Sequence, residues 1–325
     1  MLKLVNAALI LFFVCMAHAN AAEPLRALLL TTPGVYHDYE SQTEVLTTAL
    51  AQRMQITFDV SLSEEARWRD GDFSRDYDVI IYNICMADTK DAALIGNLRR
   101  QTEAVGVPAV AIHCTMHSFR DTELWWPFLG LKTRHHDPLG KMRIRQVTEH
   151  PVLSGIRDNW TLPEDELYIN LAFGGEPLLT ATGQDGQEHT VAWLQGAGST
   201  TLFGTTLGHS DDTIANPVFQ QLIANAVLFV TGNLDEQGKI NPAVAPSGTP
   251  GKVINSFSAA PGVGYLGENG IDCVYRQFAI AVGPCYVGCI LNPFVWGEQA
   301  DTCRRGCEQK LPSTDEAIRQ CMPDD

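Results

Sequence analysis

Residues 77–113 read YDVIIYNICMADTKDAALIGNLRRQTEAVGVPAVAIH. Residues 77–84 and 107–113 are short apolar, β-rich runs, while 88–105 bring Leu94, Ile95, Leu98 and Val105 onto one face at helical spacing, as an amphipathic helix does. Runs that are apolar throughout suit strands buried on both faces, so strand, helix, strand predicts a parallel pair with a helical crossover. The alternation extends in both directions. Residues 25–32 (LRALLLTT) and 55–60 read as strands around a helix over 40–54 that presents Val45, Leu46, Ala49, Leu50 and Met54. Residues 189–194 (HTVAWL) and 199–206 (STTLFGTT) are strand-like, and 217–230 form a helix between Pro217 in its first turn and Gly232 past its end. The segment 116–182 is less regular. The expectation is an α/β domain built on a parallel sheet flanked by helices, with its site in loops at the carboxyl ends of the strands.

Outward from this domain the composition changes. Residues 1–22 combine Lys3, an apolar run over 4–16 and small residues at Ala17, Ala19 and Ala21, the three-part pattern of a cleaved signal peptide; the run is too short for the roughly 20 residues of a spanning helix. An uncleaved anchor is the alternative. Residues 23–232 form the α/β domain, 233–270 read as a Gly/Pro-rich linker, and 271–325 hold six of the nine cysteines. The chain is therefore expected to be exported, periplasmic or secreted, with no membrane span after cleavage. A net charge of −15 excludes a nucleic-acid partner, which needs basic surface to displace counterions from phosphates.

In the tail, Cys285 and Cys289 lie one helical turn apart, as do Cys303 and Cys307. Two short helices folded back on each other would join Cys285 to Cys307 and Cys289 to Cys303, with Cys273 and Cys321 as the outer pair. Six cysteines allow 15 pairings, so other connectivities stay open, and zinc is the rival reading. An oxidising compartment favours disulfides. The expectation is a small, mainly helical, disulfide-rich module that steadies the chain or docks a protein partner. Cys85 and Cys114 fall at the ends of neighbouring expected strands, either bridged or both buried as small apolar residues.

Three histidines follow expected strand ends: His37, His113 and His209. In a parallel sheet those positions can converge, and three imidazoles with a carboxylate from Asp165 or Glu166 could shuttle protons or hold a divalent transition metal such as zinc. The bland alternative is three unrelated loop residues.

The segments TTPGVYHDY, VPAVAIHCT, EHPVLSGI, EDELY, VAWLQGAG and LFGTTLGH with NPVFQQLIANAVLFVTG resemble, in the same order, the ThuA-like family of trehalose utilisation. The resemblance covers about residues 25–232 and implies a class I glutamine amidotransferase-like fold, flavodoxin-like in its parallel sheet, and a link to carbohydrate use. Those amidotransferases place a nucleophilic cysteine at a strand-to-helix elbow. Here His113 stands at the elbow, Cys114 follows it, and His209 is succeeded by Ser210 and Asp211, so glutaminase chemistry is not expected. The expected activity is acid-base or metal-assisted chemistry on a carbohydrate or derivative, with His113, His209 and Glu166 as catalytic groups. His37, Tyr36, His117 and Trp126 would contact the ligand, and His37, His113 and His209 would hold any metal. The competing expectation is a non-catalytic binding or scaffold protein.

Overall fold

The computed structural model describes residues 23–33, 37–246 and 253–254. The signal-like segment, Tyr36 and the cysteine-rich module lie outside the described residues.

The first part of the chain alternates as expected: β1 (Leu25–Thr31), α1 (Tyr39–Arg53), β2 (Ile56–Leu62), α2 (Glu65–Trp68), β3 (Val79–Asn83), α3 (Ala92–Glu103) and β4 (Ala109–Ile112). There follow α4 (Trp126–Leu129), β5 (Leu131–Lys132), β6 (Gly140–Gln146), β7 (Trp160–Asp165), β8 (Ala172–Phe173), β9 (Glu176–Thr182), β10 (Glu188–Ala197) and β11 (Thr200–Thr205). Helices α5 (Asp211–Ile214) and α6 (Pro217–Val230) and strand β12 (Val253–Ile254) complete the described α-helices and strands, and short 3-10 helices lie at His113–Met116 and Pro151–Leu153.

One sheet has the order β12-β2-β1-β3-β4-β11-β10-β9-β6-β7, and β5 pairs separately with β8. From β12 to β11 every pairing is parallel; from β11 to β7 every pairing is antiparallel. The run β2-β1-β3-β4-β11 is the flavodoxin-like order, whose ligands lie beyond the carboxyl ends of the strands. The wholly parallel sheet is thus corrected to a mixed one. Strand β6 (GKMRIRQ) buries Met142 and Ile144 and leaves Arg143 and Arg145 exposed, the alternation of a strand with one wet face. The β9–β10 hairpin turns at Asp185-Gly186, with Gly186 at φ 76°, where a positive φ suits glycine.

The parallel strands divide their side chains between two cores. Leu29, Ile81, Val110, Ile112 and Phe203 pack with Leu46 and Leu50 of α1 and Phe219, Leu222 and Ile223 of α6. Leu28, Leu30, Ile80, Tyr82, Ala111 and Leu202 pack with Leu94, Ile95 and Leu98 of α3 and Phe128 of α4. Alternate residues of apolar strands are therefore buried on opposite faces, each large side chain contributing roughly 1.5–3 kcal/mol. Side-chain caps set the helix starts: Asp38 accepts from the Ser41 amide before α1, and Asn216 accepts from Val218 ahead of Pro217.

Past Gly232 the chain stays on the domain. Leu234 and Val244 are buried, the Gln55 amide donates to the Val244 carbonyl, and β12 extends the parallel edge beside β2. No helix among the described residues is long and apolar enough to cross a membrane.

Candidate functional site

The carboxyl ends of β1, β4 and β11 bring three histidines together. His37 precedes α1, His113 follows β4, and His209 follows β11 after Gly208. Ring centroids are 4.9 Å apart for His37–His113, 5.0 Å for His37–His209 and 5.4 Å for His113–His209. One candidate ligand atom from each ring lies within 4.8 Å of the others. A tetrahedral ion with bonds of about 2.1 Å needs its ligands roughly 3.4 Å apart, so the cluster needs to close by no more than about 1.4 Å to bind one.

The backbone is shaped for this approach. His113 adopts a left-handed φ of 46° at the strand-to-helix elbow, a conformation that non-glycine residues occupy sparingly and often at functional sites. Gly208 has φ 121°, and a Cβ on it would sit 3.1 Å from Ile112 Cγ2 and 3.4 Å from His113 Cβ. A side chain there would be strained by the positive φ and would crowd the Ile112 side chain beside His113.

Hydrogen bonds fix two of the imidazoles. His113 Nδ1 donates to the Thr206 carbonyl at 2.7 Å and His37 Nδ1 to the His209 carbonyl at 3.1 Å; a carbonyl only accepts, so the ring proton is on Nδ1. With Nδ1 so engaged, Nε2 is the nitrogen each ring has left for a ligand, the arrangement of a histidine ligand anchored through its other nitrogen. Gln42 also donates to the His209 carbonyl, at 3.0 Å.

Glu166 lies between the rings. Its Oε2 is 3.5 Å from His113 Nε2 and 3.3 Å from His209 Nδ1, and its Oε1 is 3.5 Å from His136 Nε2. The His209 approach is an ion-pair distance without hydrogen-bond alignment, since Nδ1 has no hydrogen-bond partner among the described residues. Asp165, fully buried, has a different task. Its carboxylate accepts from the amides of Gly208 at 3.0 Å, His209 at 3.3 Å and Glu166 at 2.7 Å. It fixes the loop that presents His209, which makes it a positioning residue.

Electrostatics separates the histidines. Burial, with His113 next in weight, pushes His37 down to about 3, so it is neutral and able to ligate at physiological pH. Burial likewise pushes His117 well down. The Glu166 carboxylate raises His209. Burial alone would raise Glu166, but His113 and His209 outweigh it and hold the carboxyl well below the usual range.

Around this centre, His117 stacks on Tyr168 with ring centroids 3.9 Å apart, and the Tyr168 hydroxyl is 3.3 Å from His113 Nε2. Burial keeps the Tyr168 phenol protonated, so it donates to that nitrogen, at a distance long enough to be a weak bond. Sequence reasoning missed Tyr168 and His136 as members of the site; their only local signal is proximity to Glu166 and to other histidines. Trp126 sits elsewhere, its Nε1 donating to Glu123 at 2.7 Å and its ring 5.5 Å from the Lys132 ammonium. Cys85 and Cys114 form a disulfide with Cα atoms 5.1 Å apart.

Several buried polar atoms at this sheet edge have no hydrogen-bond partner among the described residues: Thr31 Oγ1, both amide atoms of Asn83, Thr206 Oγ1 and the Tyr39 hydroxyl. Thr31 and Asn83 are register partners at the last positions of β1 and β3. Buried polar groups are ordinarily satisfied, so this concentration marks where a polar ligand or ordered water would be accommodated.

The trehalose-utilisation family, ThuA, matches residues 26–230. The chain belongs to the ThuA family. Two solved ThuA-like proteins share the fold of this ThuA chain. That from Parabacteroides merdae has a TM-score of 0.54 at 17% identity, covering 69% of this chain and 97% of the other. That from Bacteroides uniformis has a TM-score of 0.52 at 16% identity, covering 70% and 98%. No curated protein matches the chain.

Proposed function

We propose that this ThuA protein is exported and acts on a carbohydrate or carbohydrate derivative by metal-assisted chemistry at His37, His113, His209 and Glu166. The observation that carries the reading is the convergence of three imidazoles from three strand ends around one ionised carboxylate. The family's description supports a carbohydrate process, and the signal-like segment supports export.

A divalent ion such as zinc, when bound, would supply an acidified water and charge stabilisation. The protein's own groups do the rest. His37 and His113 present Nε2, anchored through Nδ1 to backbone carbonyls. His209 completes the set after giving up its proton, which the nearby Glu166 otherwise helps to retain. Glu166, ionised over the whole physiological range, accepts a proton from water held beside it. Tyr168, protonated and oriented by the His117 stack, supplies a donor, and His136 borders the carboxylate from a partly exposed position.

Metal analysis of purified full-length protein tests the ligand set. One equivalent of zinc or a similar divalent ion is expected, and it should be lost in His113→Ala and His209→Ala. Protein that takes up no ion, or variants that retain it, would remove the metal reading. Thermal-shift screening of sugars and oxidised sugars tests the ligand class, because a bound ligand raises apparent stability. A shift present in wild type and absent in Glu166→Gln is expected.

A further inference from the structure

The Cys85–Cys114 disulfide takes no part in the chemistry proposed above, yet it touches the same centre. The two sulfurs and a ring nitrogen of His37 all lie within 4.8 Å of one another, as do the ring nitrogens of the three-histidine set. His37 belongs to both groups. Its Nδ1 is committed to the His209 carbonyl, so its one free nitrogen cannot serve two ions.

The loops that carry the sulfurs are held together independently of the bond between them. The Thr115 hydroxyl donates to the Tyr82 carbonyl at 2.8 Å and accepts from the Ile84 amide at 3.3 Å. The Ser118 hydroxyl donates to the Ile84 carbonyl at 3.2 Å and accepts from the Met86 amide at 3.0 Å, and the Phe119 amide donates to the Met86 carbonyl at 2.9 Å. On the other side the Cys85 amide donates to Thr32 Oγ1 at 3.0 Å, tying the cysteine to the loop after β1 that leads to His37. Breaking the sulfur–sulfur bond therefore leaves both cysteines in place. Two thiolates on one tetrahedral ion stand roughly 3.8 Å apart at bond lengths of about 2.3 Å, a separation that side-chain rotation from the bonded state can reach.

We propose that reduction of the Cys85–Cys114 disulfide creates a second metal site, His37–Cys85–Cys114, for a thiophilic divalent ion such as zinc, and that this site competes with the three-histidine set for His37. The thiol-disulfide state then decides which ligands hold the ion. In the reduction a dithiol gives two electrons and two protons to the sulfur–sulfur bond, becoming a disulfide itself and leaving two protein thiols. Metal binding releases both thiol protons to solvent. Soft thiolates favour zinc over harder ions, so in the reduced protein the ion leaves the histidine centre. The competition rests on the three-histidine reading above; the thiol site does not.

Cobalt(II) added to the full-length protein tests this, because thiolate ligation gives a sulfur-to-cobalt charge-transfer band that imidazole ligation does not. The protein is studied oxidised, and again after treatment with dithiothreitol and its anaerobic removal. Tail thiols contribute the same band to every reduced variant, so the readout is the difference between variants. Reduced wild type should exceed Cys85→Ser, Cys114→Ser and His37→Gln by the same increment, equivalent to one cobalt per chain, while His113→Ala keeps it. Either cysteine variant suffices if the other fails to fold. An increment absent from wild type, or one that survives in His37→Gln or disappears in His113→Ala, would overturn the proposal. Metal content of the oxidised His113→Ala protein reports separately on the three-histidine set.

Discussion

The β2-β1-β3-β4-β11 side of the sheet and the β10-β9-β6-β7 side are built on different rules, and the site takes something from each. On the first, the central strands β3 and β4 are buried along their whole length, helices cover both faces, and the strand ends open into loops carrying His37, His113 and His209. On the second, β6 alternates buried and exposed residues, and β7 ends in Asp165, which reaches back to the His209 loop. The parallel half supplies the imidazoles and a rigid frame. The antiparallel half supplies the carboxylates, Asp165 to hold the His209 loop and Glu166 to stand between the imidazoles. The difference shows how a mixed sheet can gather groups that neither half would bring together alone.

Mutations can break that division, and the largest effect should fall in the parallel core. Leu29→Ala removes a fully buried side chain from β1 and is expected to cost about 2–5 kcal/mol in chemical denaturation. Asp165→Asn comes next. It weakens the acceptor for the Gly208 and His209 amides, with an expected loss of about 1–3 kcal/mol and a roughly 10–100-fold loss of metal affinity by calorimetry. The equally conservative Glu166→Gln should leave stability closer to wild type and remove activity.

The pH dependence of the metal-free protein gives a third, smaller effect. His37 is lowered to about 3 from its ordinary 6.5, so below pH 6.5 the unfolded chain takes up the proton first and stability falls as pH drops toward 3. His117, lowered for the same reason, adds to that slope. His209 is raised; its contribution is full below 6.5 and is lost as pH rises through its folded value. Glu166, lowered, contributes above the ordinary carboxylate range and loses its contribution at the acid extreme. Thermal melts should therefore peak between about pH 6 and 7, falling on the acid side by on the order of 1 kcal/mol per pH unit for each buried histidine. His37→Gln should flatten the acid limb. At the small end, Arg143→Ala on the wet face of β6 should change stability by less than about 0.5 kcal/mol; a larger loss would mean that this face is covered.

The same contrast explains what could be read before the structure. Runs such as VIIYN and AVAI declare two-sided burial by themselves, so β1, β3, β4 and their helices were legible, and α6 was bounded at both ends by Pro217 and Gly232. The three histidines were legible because each follows such a run. Strands β6, β7 and β9 were not, since their exposed charges and Pro163 resemble loop sequence. The positioning work of Asp165 was hidden because its partners are backbone amides 43 and 44 residues away. Pairing of Cys85 with Cys114 depended on β3 and β4 being neighbours in register, which neither segment states locally.

His37, His113 and His209 are proposed to act as one centre. Titration of oxidised full-length protein with zinc, followed by calorimetry, tests it most directly. One site per chain is expected in wild type, with no binding at that site in His113→Ala and none in His209→Ala; equal zinc binding by wild type and both variants would contradict the account.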